Sequence, residues 1–339
     1  MSKSVMVKNV QIGGGAPISV QSMTDTLTRD FDATIKEIND LYAVGCDLVR
    51  LSVPDVESCK TLKKIVEVSP IPIIADVHYD YKLALGSIEA GAHKLRINPG
   101  NMPKDKLKDV ARLAFERKVP IRVGVNQGSQ SVKLSPKDLA SLCLDISKLL
   151  EDSGTDQLVL AVKSSNVKET VEAYRELSSL TDYPLHIGLT EAGTENLGLT
   201  KSNIAIGSLL LDGIGDTLRV SITGSPKVEV EEGRKILRAI GLDNNFVEVI
   251  SCPTCARTCI QVEKYALEVE KATKNIRKPI KIAVMGCTVN GIGESKGADF
   301  GVCGGKEQSF IIQNGEIIKT LKNDEILPEL LRLVEQYDV

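Results

Sequence analysis

Short apolar runs recur through the first two-thirds of the chain, and stretches with apolar residues at helical spacing separate them. The runs are rich in Val, Ile and Leu, which is typical of strands that are buried on both faces. Helical spacing is clearest at 31–43, 104–116 and 137–153. We predict eight strands, at 18–23, 47–53, 72–77, 94–98, 121–125, 158–163, 185–190 and 217–222.

The alternation of these strands with helices predicts an α/β fold, a closed parallel (β/α)8 barrel of the TIM type. The alternative is a doubly wound open sheet. A helix at 231–239 would complete the barrel, and the composition of 241–245 is that of a hinge. We therefore expect a barrel domain at 1–242 and a second domain at 243–339.

The pattern beyond the hinge predicts a small α+β domain. Asn314-Gly315 lies between two apolar runs, which is the signature of a β-hairpin. The predicted elements are a strand at 247–250, a helix at 257–272, a strand at 280–285, a hairpin of 310–313 with 316–320, and a helix at 324–336.

Composition narrows the classes of function. A formal charge of −3 and an aromatic content of 4% argue against a surface that binds nucleic acid. The eight cysteines occur without a secretory leader or an apolar run long enough to cross a membrane. We expect a cytoplasmic protein with reduced thiols, whose partners are small molecules and other proteins rather than nucleic acid or a membrane.

Arginines interrupt four of the predicted strands, and polar residues follow at offsets that place them on the same face. Because parallel strands end at one rim of a barrel, these side chains predict an anion site, such as one for a phosphate or diphosphate, at the carboxyl-terminal mouth. For each arginine the alternative is a structural ion pair. The residues are Arg50, Ser52, Asp76, His78, Arg96, Asn98, Arg122, Asn126, Lys163, Ser165, Arg219, Ser221 and Thr223.

Three further positions leave alternatives open. His78 and His186 lie on predicted strands, where a histidine is either a hydrogen-bonded structural residue or a catalytic one, and His78 shares a face with Asp76. Glu191 follows the seventh predicted strand, where it could cap a helix or serve as an acid or base. The glycines at 13–15 lack the spacing of a phosphate loop and indicate a turn.

Cysteines concentrate the candidate metal chemistry in the second domain. Cys252 and Cys255 form a Cys-x-x-Cys pair, and Cys287 follows downstream. A second such pair or a pair of histidines, as a zinc site would require, is missing, so an iron–sulfur cluster is favoured over zinc. The alternatives are cysteines that pack as small apolar residues and a redox pair. Cys252 would lie near the start of the predicted helix 257–272, where free amides favour a thiolate.

Six segments together resemble one enzyme family, that of the 4-hydroxy-3-methylbut-2-enyl diphosphate synthases. The match runs from the N-terminal segment to Glu294, and the last two segments are the most specific. The segments are Val20-Gln-Ser-Met-Thr24, Arg96-Ile-Asn-Pro-Gly100, Arg122-Val-Gly-Val-Asn126, Gly215-Asp-Thr-Leu-Arg-Val-Ser221, Ser251-Cys-Pro-Thr-Cys255 and Met285-Gly-Cys-Thr-Val-Asn-Gly-Ile-Gly-Glu294.

The resemblance implies an activity and a cofactor. It implies the conversion of 2-C-methyl-D-erythritol 2,4-cyclodiphosphate into 4-hydroxy-3-methylbut-2-enyl diphosphate, which opens a ring and removes a hydroxyl with two electrons. A 4Fe–4S cluster would be held by Cys252, Cys255, Cys287 and Glu294. Flavodoxin or ferredoxin would donate the electrons. The family also implies a homodimer in which the cluster domain of one chain acts in trans on the barrel of the other.

The resemblance implies a role for Glu191 of the barrel, which would transfer a proton or orient the reacting hydroxyls. We predict that Glu294 is the labile ligand of the cluster, because a carboxylate is a harder and weaker ligand for it than a thiolate. Competing functions are a cluster carrier or redox sensor with a barrel scaffold, and a zinc-dependent or radical-type barrel enzyme. The substrate-binding residues would be Arg50, Asp76, His78, Arg96, Asn98, Arg122, Asn126, Lys163, Arg219 and Ser221.

Overall fold

Parallel strands alternate with helices through the first of two units, Met1–Leu242, in a computed structural model that describes residues 1–98 and 102–337. The strands are β1 Ser4–Val7, β2 Val10–Gly13, β3 Ser19–Met23, β4 Leu48–Ser52, β5 Ile73–Val77, β6 Lys94–Ile97, β7 Ile121–Asn126, β8 Leu158–Lys163, β9 His186–Ile187 and β10 Thr217–Leu218. The helices are α1 Phe31–Ala43, α2 Val56–Val68, α3 Tyr81–Glu89, α4 Lys104–Glu116, α5 Pro136–Glu151, α6 Val167–Leu180, α7 Glu195–Leu211 and α8 Pro226–Ala239.

Strands β3 to β10 form one parallel sheet in the order β8-β7-β6-β5-β4-β3-β10-β9. A bridge between Leu160 and Leu185 joins β8 to β9, where the backbone N–H of Leu160 also donates to the carbonyl of Pro184 at 2.9 Å. The sheet is therefore a nearly closed barrel of the TIM type, as predicted, and the open-sheet alternative is wrong.

Helix starts in this unit carry the capping residues that their sequences supply. The side chains of Asp30, Asp55 and Asp80 accept hydrogen bonds from backbone N–H groups in the first turns of α1, α2 and α3. Helix α8 begins at Pro226, after the cap Ser225, and not at the predicted residue 231. Proline is favoured in a first turn, so the helix gains more than a turn over the prediction.

Strands β9 and β10 each keep only two residues of the longer runs predicted at 185–190 and 217–222. Gly188 has φ +143°, and a Cβ at that position would lie 2.2 Å from the backbone oxygen of Arg219. The two segments therefore leave the hydrogen-bond ladder where their backbones approach each other most closely. Glycine allows this close approach because it has no side chain.

A hairpin of β1 and β2, which the sequence analysis missed, precedes the barrel. Its buried residues Val5, Val7 and Ile12 belong to one apolar cluster with Leu48 and Ile74 of the barrel strands. The predicted turn at 13–15 follows β2, and all three glycines have positive φ. The hairpin thus supplies an apolar floor at the amino-terminal end of the barrel.

The second unit, Asp243–Val339, is a small α+β domain, as predicted. Its sheet has the order β11-β12-β13-β14-β15, parallel from β11 to β13 and antiparallel from β13 to β15. Its elements are β11 Val247–Ser251, α9 Val262–Thr273, β12 Ile280–Met285, α10 Thr288–Glu294, β13 Phe300–Cys303, β14 Gln308–Gln313, β15 Glu316–Lys322 and α11 Ile326–Gln336.

Alternate residues of β12 face opposite sides of this sheet. Ile282 and Val284 pack in the cluster that includes α9 and α11, whereas Ala283 and Met285 pack in a second cluster with Ile292 of α10. The predicted hairpin at Asn314-Gly315 is confirmed, with both residues at positive φ. Strand β13 and helix α10 were not predicted, and both contain glycine, which neither element favours.

None of the helices in the described part of the chain combines the length and the apolarity needed to span a membrane.

Candidate active site

The carboxyl ends of the barrel strands surround a polar cavity of about 230 Å³. Nine of the predicted site residues line it, whereas Asn98 is buried at the end of β6 and Glu191 is exposed outside the lining. The lining residues are Met23, Arg50, Asp76, His78, Arg96, Arg122, Gly124, Asn126, Ala161, Lys163, Leu189, Thr190, Arg219 and Ser221.

Asp76 is the buried anion at the centre of one side of this cavity. Its Oδ1 lies 2.9 Å from Nη1 of Arg96, and its Oδ2 lies 3.4 Å from Nε of Arg50. His78 Nε2 lies 3.5 Å from Oδ2 and 2.6 Å from Nη1 of Arg96. Burial raises the pKa of Asp76, but Arg50, the hydrogen bond with His78 and Arg96 outweigh burial and hold that pKa well below its usual range.

A second buried carboxylate, Glu229 of α8, pairs with Arg219. Its oxygens accept from Nε and Nη2 of Arg219 at 3.1 and 3.3 Å, and from the hydroxyl of Ser22 at 3.1 Å. Glu229 was not predicted as a site residue, because a glutamate in a helical segment is usually exposed. The four-residue spacing from Glu229 to Gly233, which packs against Leu218 and Val20, was the available signal that this helix face is buried.

Met23 lies between two of these guanidinium groups. Its sulfur accepts from Nη2 of Arg50 at 2.9 Å and from Nη1 of Arg219 at 3.7 Å. Arg50, Arg96 and Arg219 are thus held by acidic or sulfur partners within the barrel. Each of these arginines therefore forms a structural ion pair, which was the alternative given for it from the sequence, and each also lines the cavity.

Arg122 and Lys163 are different. Both are buried, with exposed fractions of 2% and 7%, neither side chain forms an ion pair with a carboxylate among the described residues, and Nε of Arg122 has no hydrogen-bond partner there. Burial, followed by the neighbouring cations Arg50 and Arg96, lowers the pKa of Arg122, and burial followed by Arg122 and Arg219 lowers the pKa of Lys163. Cationic side chains therefore outnumber carboxylates here, and an anion is the missing partner.

Glu191 has φ +52°, an uncommon conformation for a residue with a side chain. Its Oε1 lies 3.3 Å from the position that a Cβ on Gly128 would occupy, so its carboxylate reaches over the segment that follows β7. It is not a helix cap, because α7 begins at Glu195 after the cap Thr194. His186 is fully buried on β9, outside the lining of the cavity.

The second unit has its own cavity, of about 400 Å³, and all four predicted ligands line it. The lining residues are Ile250, Ser251, Cys252, Pro253, Cys255, Arg257, Met285, Gly286, Cys287, Gly291 and Glu294.

Cys252 and Cys255 lie in the loop between β11 and α9. The backbone N–H of Gly286 donates to the sulfur of Cys252 at 3.2 Å. Hydrogen bonding from the backbone of Arg257 lowers the pKa of Cys255, although burial opposes it. The predicted helix 257–272 is wrong at its start, since α9 begins only at Val262, and so Cys252 is not placed by a helix terminus.

The late start of α9 also separates Cys259 from the candidate ligands. Cys255 and Cys259 do not share a helix face, because both precede α9. The thiol of Cys259 donates to the carbonyl of Arg257 at 3.4 Å, and Cys259 does not line the cavity.

Cys287 and Glu294 are brought together by α10, which begins directly after Cys287 and ends at Glu294. The segment 290–294, predicted as a loop, is therefore helical. A Cβ on Gly291 would lie 2.6 Å from the sulfur of Cys303 and 3.0 Å from Cβ of Met285. Glycine at 291 thus lets α10 lie directly on the sheet, with Glu294 at the cavity.

The four candidate ligands suit a metal cluster better than a single metal ion. Among the described residues, no three His, Cys, Asp or Glu side chains are close enough to hold a single metal ion. Ligands of a four-iron cluster each bind a different iron, so they stand further apart around a larger volume. Three thiols and one carboxylate around about 400 Å³, with an N–H directed at one sulfur, fit such a cluster.

Comparison with known proteins assigns both units to one family. The GcpE TIM-barrel domain matches residues 2–234, and the GcpE protein C-terminal domain matches residues 248–336. A 4-hydroxy-3-methylbut-2-en-1-yl diphosphate synthase (flavodoxin) from Caldanaerobacter subterraneus subsp. tengcongensis is 48% identical over 344 residues, covering 99% of this chain and 97% of the relative. The protein of the same name from Thermotoga petrophila is 49% identical over 332 residues, covering 97% and 96%.

Solved structures of other enzymes share the barrel. Dihydropteroate synthase from Yersinia pestis aligns with a TM-score of 0.53 at 12% identity and covers 71% of this chain and 100% of that chain. The dihydropteroate synthase from Thermus thermophilus aligns with a TM-score of 0.52 at 14% identity, covering 70% and 99%. At such low identity the likeness concerns the fold alone.

Proposed function

The chain belongs to the GcpE family, and from this membership we propose that it is an oxidoreductase that makes 4-hydroxy-3-methylbut-2-enyl diphosphate from 2-C-methyl-D-erythritol 2,4-cyclodiphosphate. The reaction takes up two electrons and two protons, opens the cyclic diphosphate and releases one water. The relatives described above carry the name of this synthase and of flavodoxin as its partner. We propose flavodoxin as the electron donor, with ferredoxin as the alternative to be compared in the assay.

One observation of the structure supports a diphosphate as the class of substrate. Arg122 and Lys163 are buried, line the barrel cavity and form no ion pair with a carboxylate in the described part of the chain. A diphosphate supplies the charge that they lack. A cluster carrier with an inert barrel scaffold gives no reason for two uncompensated cations in the barrel.

The same cations serve the chemistry. Opening the ring leaves negative charge on a phosphate oxygen, and fixed guanidinium and ammonium groups stabilise that charge without having to reorganise. Asp76 holds Arg50 and Arg96 in position, and Glu229 holds Arg219. We assign to Glu191, which reaches over the rim, the transfer of a proton or the orientation of the reacting hydroxyls.

We propose that Cys252, Cys255, Cys287 and Glu294 hold a 4Fe–4S cluster in the second unit. When bound, such a cluster supplies electrons one at a time. Glu294 is the harder and weaker of the four donors, so it is the ligand that we expect to be labile. The position of Glu294 at the end of a short helix with glycines at 291 and 293 supports a mobile ligand.

Each unit carries half of what the reaction needs, because the cationic cavity lies in the barrel and the candidate ligands lie in the second unit. The linker at 241–245 is short. We propose a homodimer in which the barrel of one protomer works with the cluster domain of its partner.

Equilibrium binding tests the substrate assignment independently of the cluster. Calorimetry with the cyclodiphosphate, in the absence of reductant, should show one binding site per chain, and Lys163→Met should weaken binding by about 10-fold to 100-fold. Unchanged affinity in a folded Lys163→Met protein would contradict the assignment. Ser165→Ala is the matched control, since Ser165 lies outside the cavity lining and should leave the affinity unchanged.

A further inference from the structure

Beneath the candidate substrate cavity, the barrel contains buried polar atoms that the proposed reaction does not use. The amine of Lys94 on β6 is fully buried and has no hydrogen-bond partner among the described residues. Both ring nitrogens of His186 on β9 and both polar atoms of the Gln21 side-chain amide on β3 are also buried without a hydrogen-bond partner among the described residues. Native proteins leave few such atoms unpaired, so this cluster requires an explanation.

Strand geometry places these side chains inside the barrel, on the amino-terminal side of the cavity. Lys94 precedes Arg96 by two residues, and Gln21 precedes Met23 by two, so each shares the inward face of a residue that lines the cavity. His186 precedes Gly188 by two, and a Cβ on Gly188 would lie 3.1 Å from Nζ of Lys163.

Positive charge dominates the surroundings of Lys94. The hairpin and β3 contribute only apolar or neutral side chains, such as Val5, Ile12 and Gln21. Arg122 of β7 and Arg50 of β4 act on its amine, and the other charged and titratable groups of the barrel interior are Asp76 of β5, Arg96 of β6, Lys163 of β8, His186 of β9, Arg219 after β10 and Glu229 of α8.

Burial, and then Arg122 and Arg50, lower the pKa of Lys94 well below its ordinary value. A guanidinium does not lose its proton in a protein, whereas a buried amine does. The excess of charge is therefore relieved at a lysine. Two lysines are buried among the described residues, and Lys94 is the more enclosed of them, since Lys163 lines the cavity and Lys94 does not.

An anion bound in the cavity favours the protonated form of Lys94 instead. As a general estimate, two negative charges about 10 Å from an amine, at an effective dielectric constant of about 20, favour its protonation on the order of 100-fold. We propose that Lys94 is a proton-accepting counter-charge for the anion cavity, neutral when the cavity is empty and an ammonium when a diphosphate is bound. One N–H bond forms with a proton taken from solvent, and no electrons move.

The identity of the diphosphate rests on the proposed function, but the coupling requires only an anion. The cyclodiphosphate is a suitable ligand because each phosphorus carries one acidic oxygen, which stays ionised across neutral pH. Any proton taken up on binding therefore goes to the protein. The experiment is calorimetry of the anaerobically purified protein, without reductant, in pairs of buffers with different ionisation enthalpies.

The wild-type protein should take up about one proton per cyclodiphosphate near neutral pH, and Kd should rise by up to 10-fold per pH unit above it. Lys94→Met should lose most of this uptake and most of the pH dependence. Its unfolding temperature should not fall, because the substitution removes an unpaired buried amine. Absence of uptake in the wild type, or the same uptake in Lys94→Met, would overturn the proposal.

Gln21→Met is the matched control, since it alters a neutral side chain of the same buried cluster and should retain the uptake. If it too abolished uptake, the coupling would belong to the cluster as a whole and the proposal would be wrong. Sulfate, which does not titrate near neutral pH, is the second probe. Proton uptake with sulfate but no binding of the cyclodiphosphate would refute the proposed function and leave the role of Lys94 standing.

Discussion

The buried charged residues of the barrel are of two kinds, those with and those without a partner of opposite charge among the described residues. Asp76 is shared by Arg50 and Arg96, so its removal leaves two buried guanidinium groups without their anion. Lys163 is also buried, but it forms no ion pair with a carboxylate within the described residues. The two kinds should respond in opposite ways to substitution, because a paired charge stabilises the fold and an unpaired one does not.

We predict that Asp76→Asn lowers the free energy of unfolding by about 3 kcal/mol, whereas Lys163→Met leaves it unchanged or raises it. The pKa of Asp76 is held below its usual range, so its contribution is complete above the unfolded pKa, about 3.9, and is lost as pH falls below that value. Chemical denaturation at pH 7 compares the two variants, and denaturation of the wild type and Asp76→Asn at about pH 2 to 3 measures the loss of the Asp76 contribution. Equal destabilisation by the two variants would show that Lys163 is a structural cation.

The cysteines give a second prediction at this scale. Cys259 donates to the carbonyl of Arg257 and does not line the cavity that contains Cys255. Cys259→Ala should therefore retain the iron and sulfide content of the wild type after anaerobic purification, whereas Cys255→Ala should lose most of both. If the two variants lost iron to the same extent, Cys259 and not Glu294 would be the fourth ligand.

The positions of the cationic and thiol side chains at the two cavities were predicted from the sequence more completely than the carboxylates that pair with the cations. Arg50, Arg96 and Arg219 stood out because arginine is costly within an apolar strand, and the structure places each at the cavity. Glu229, which holds Arg219, lies in a helix where glutamate is common, and only its four-residue spacing from Gly233 indicated a buried face. A carboxylate contributed by a distant element is a consequence of tertiary packing, which spacing along the chain does not show.

At the scale of elements, strands were predicted to within a residue or two where both faces are buried, as in β5 Ile73–Val77 and β8 Leu158–Lys163. Predictions were wrong where glycine decides the outcome. Gly188 ends β9 early, and Gly291 lets α10 form against the sheet. Helix propensity alone opposes α10, so its formation depends on packing against Met285 and Cys303.

Helix α10 provides a test with a built-in control. A methyl group at Gly291 would collide with the sulfur of Cys303, whereas nothing lies within 4 Å of a Cβ at Gly293. We predict that Gly291→Ala displaces α10 and lowers the cluster content several-fold, while Gly293→Ala keeps it near the wild-type level. Iron analysis and the visible absorption of the two proteins measure the difference. Equal cluster content would show that the position of α10 does not govern the site.

At the scale of the whole molecule, the two units carry different parts of the proposed chemistry, so their defects should complement each other in a dimer. Arg122→Ala disables a barrel and Cys287→Ser disables a cluster site. If the units act in trans, a mixed dimer keeps one site in which both parts are intact. The two variant chains are co-expressed with different affinity tags, and mixed dimers are purified by both tags in succession. These mixed dimers should recover part of the wild-type turnover. Mixed dimers that form but stay inactive would contradict the trans arrangement.

We propose above that the cationic barrel and the cluster domain together reduce a cyclic diphosphate. The most direct measurement is anaerobic turnover of 2-C-methyl-D-erythritol 2,4-cyclodiphosphate with reduced flavodoxin, or with dithionite and a viologen, and identification of the product by mass spectrometry. We predict formation of 4-hydroxy-3-methylbut-2-enyl diphosphate with two electrons consumed per product, and none in Cys287→Ser. A wild-type protein that is replete in iron and sulfide, binds the cyclodiphosphate and yet forms no product with either reductant would contradict the account.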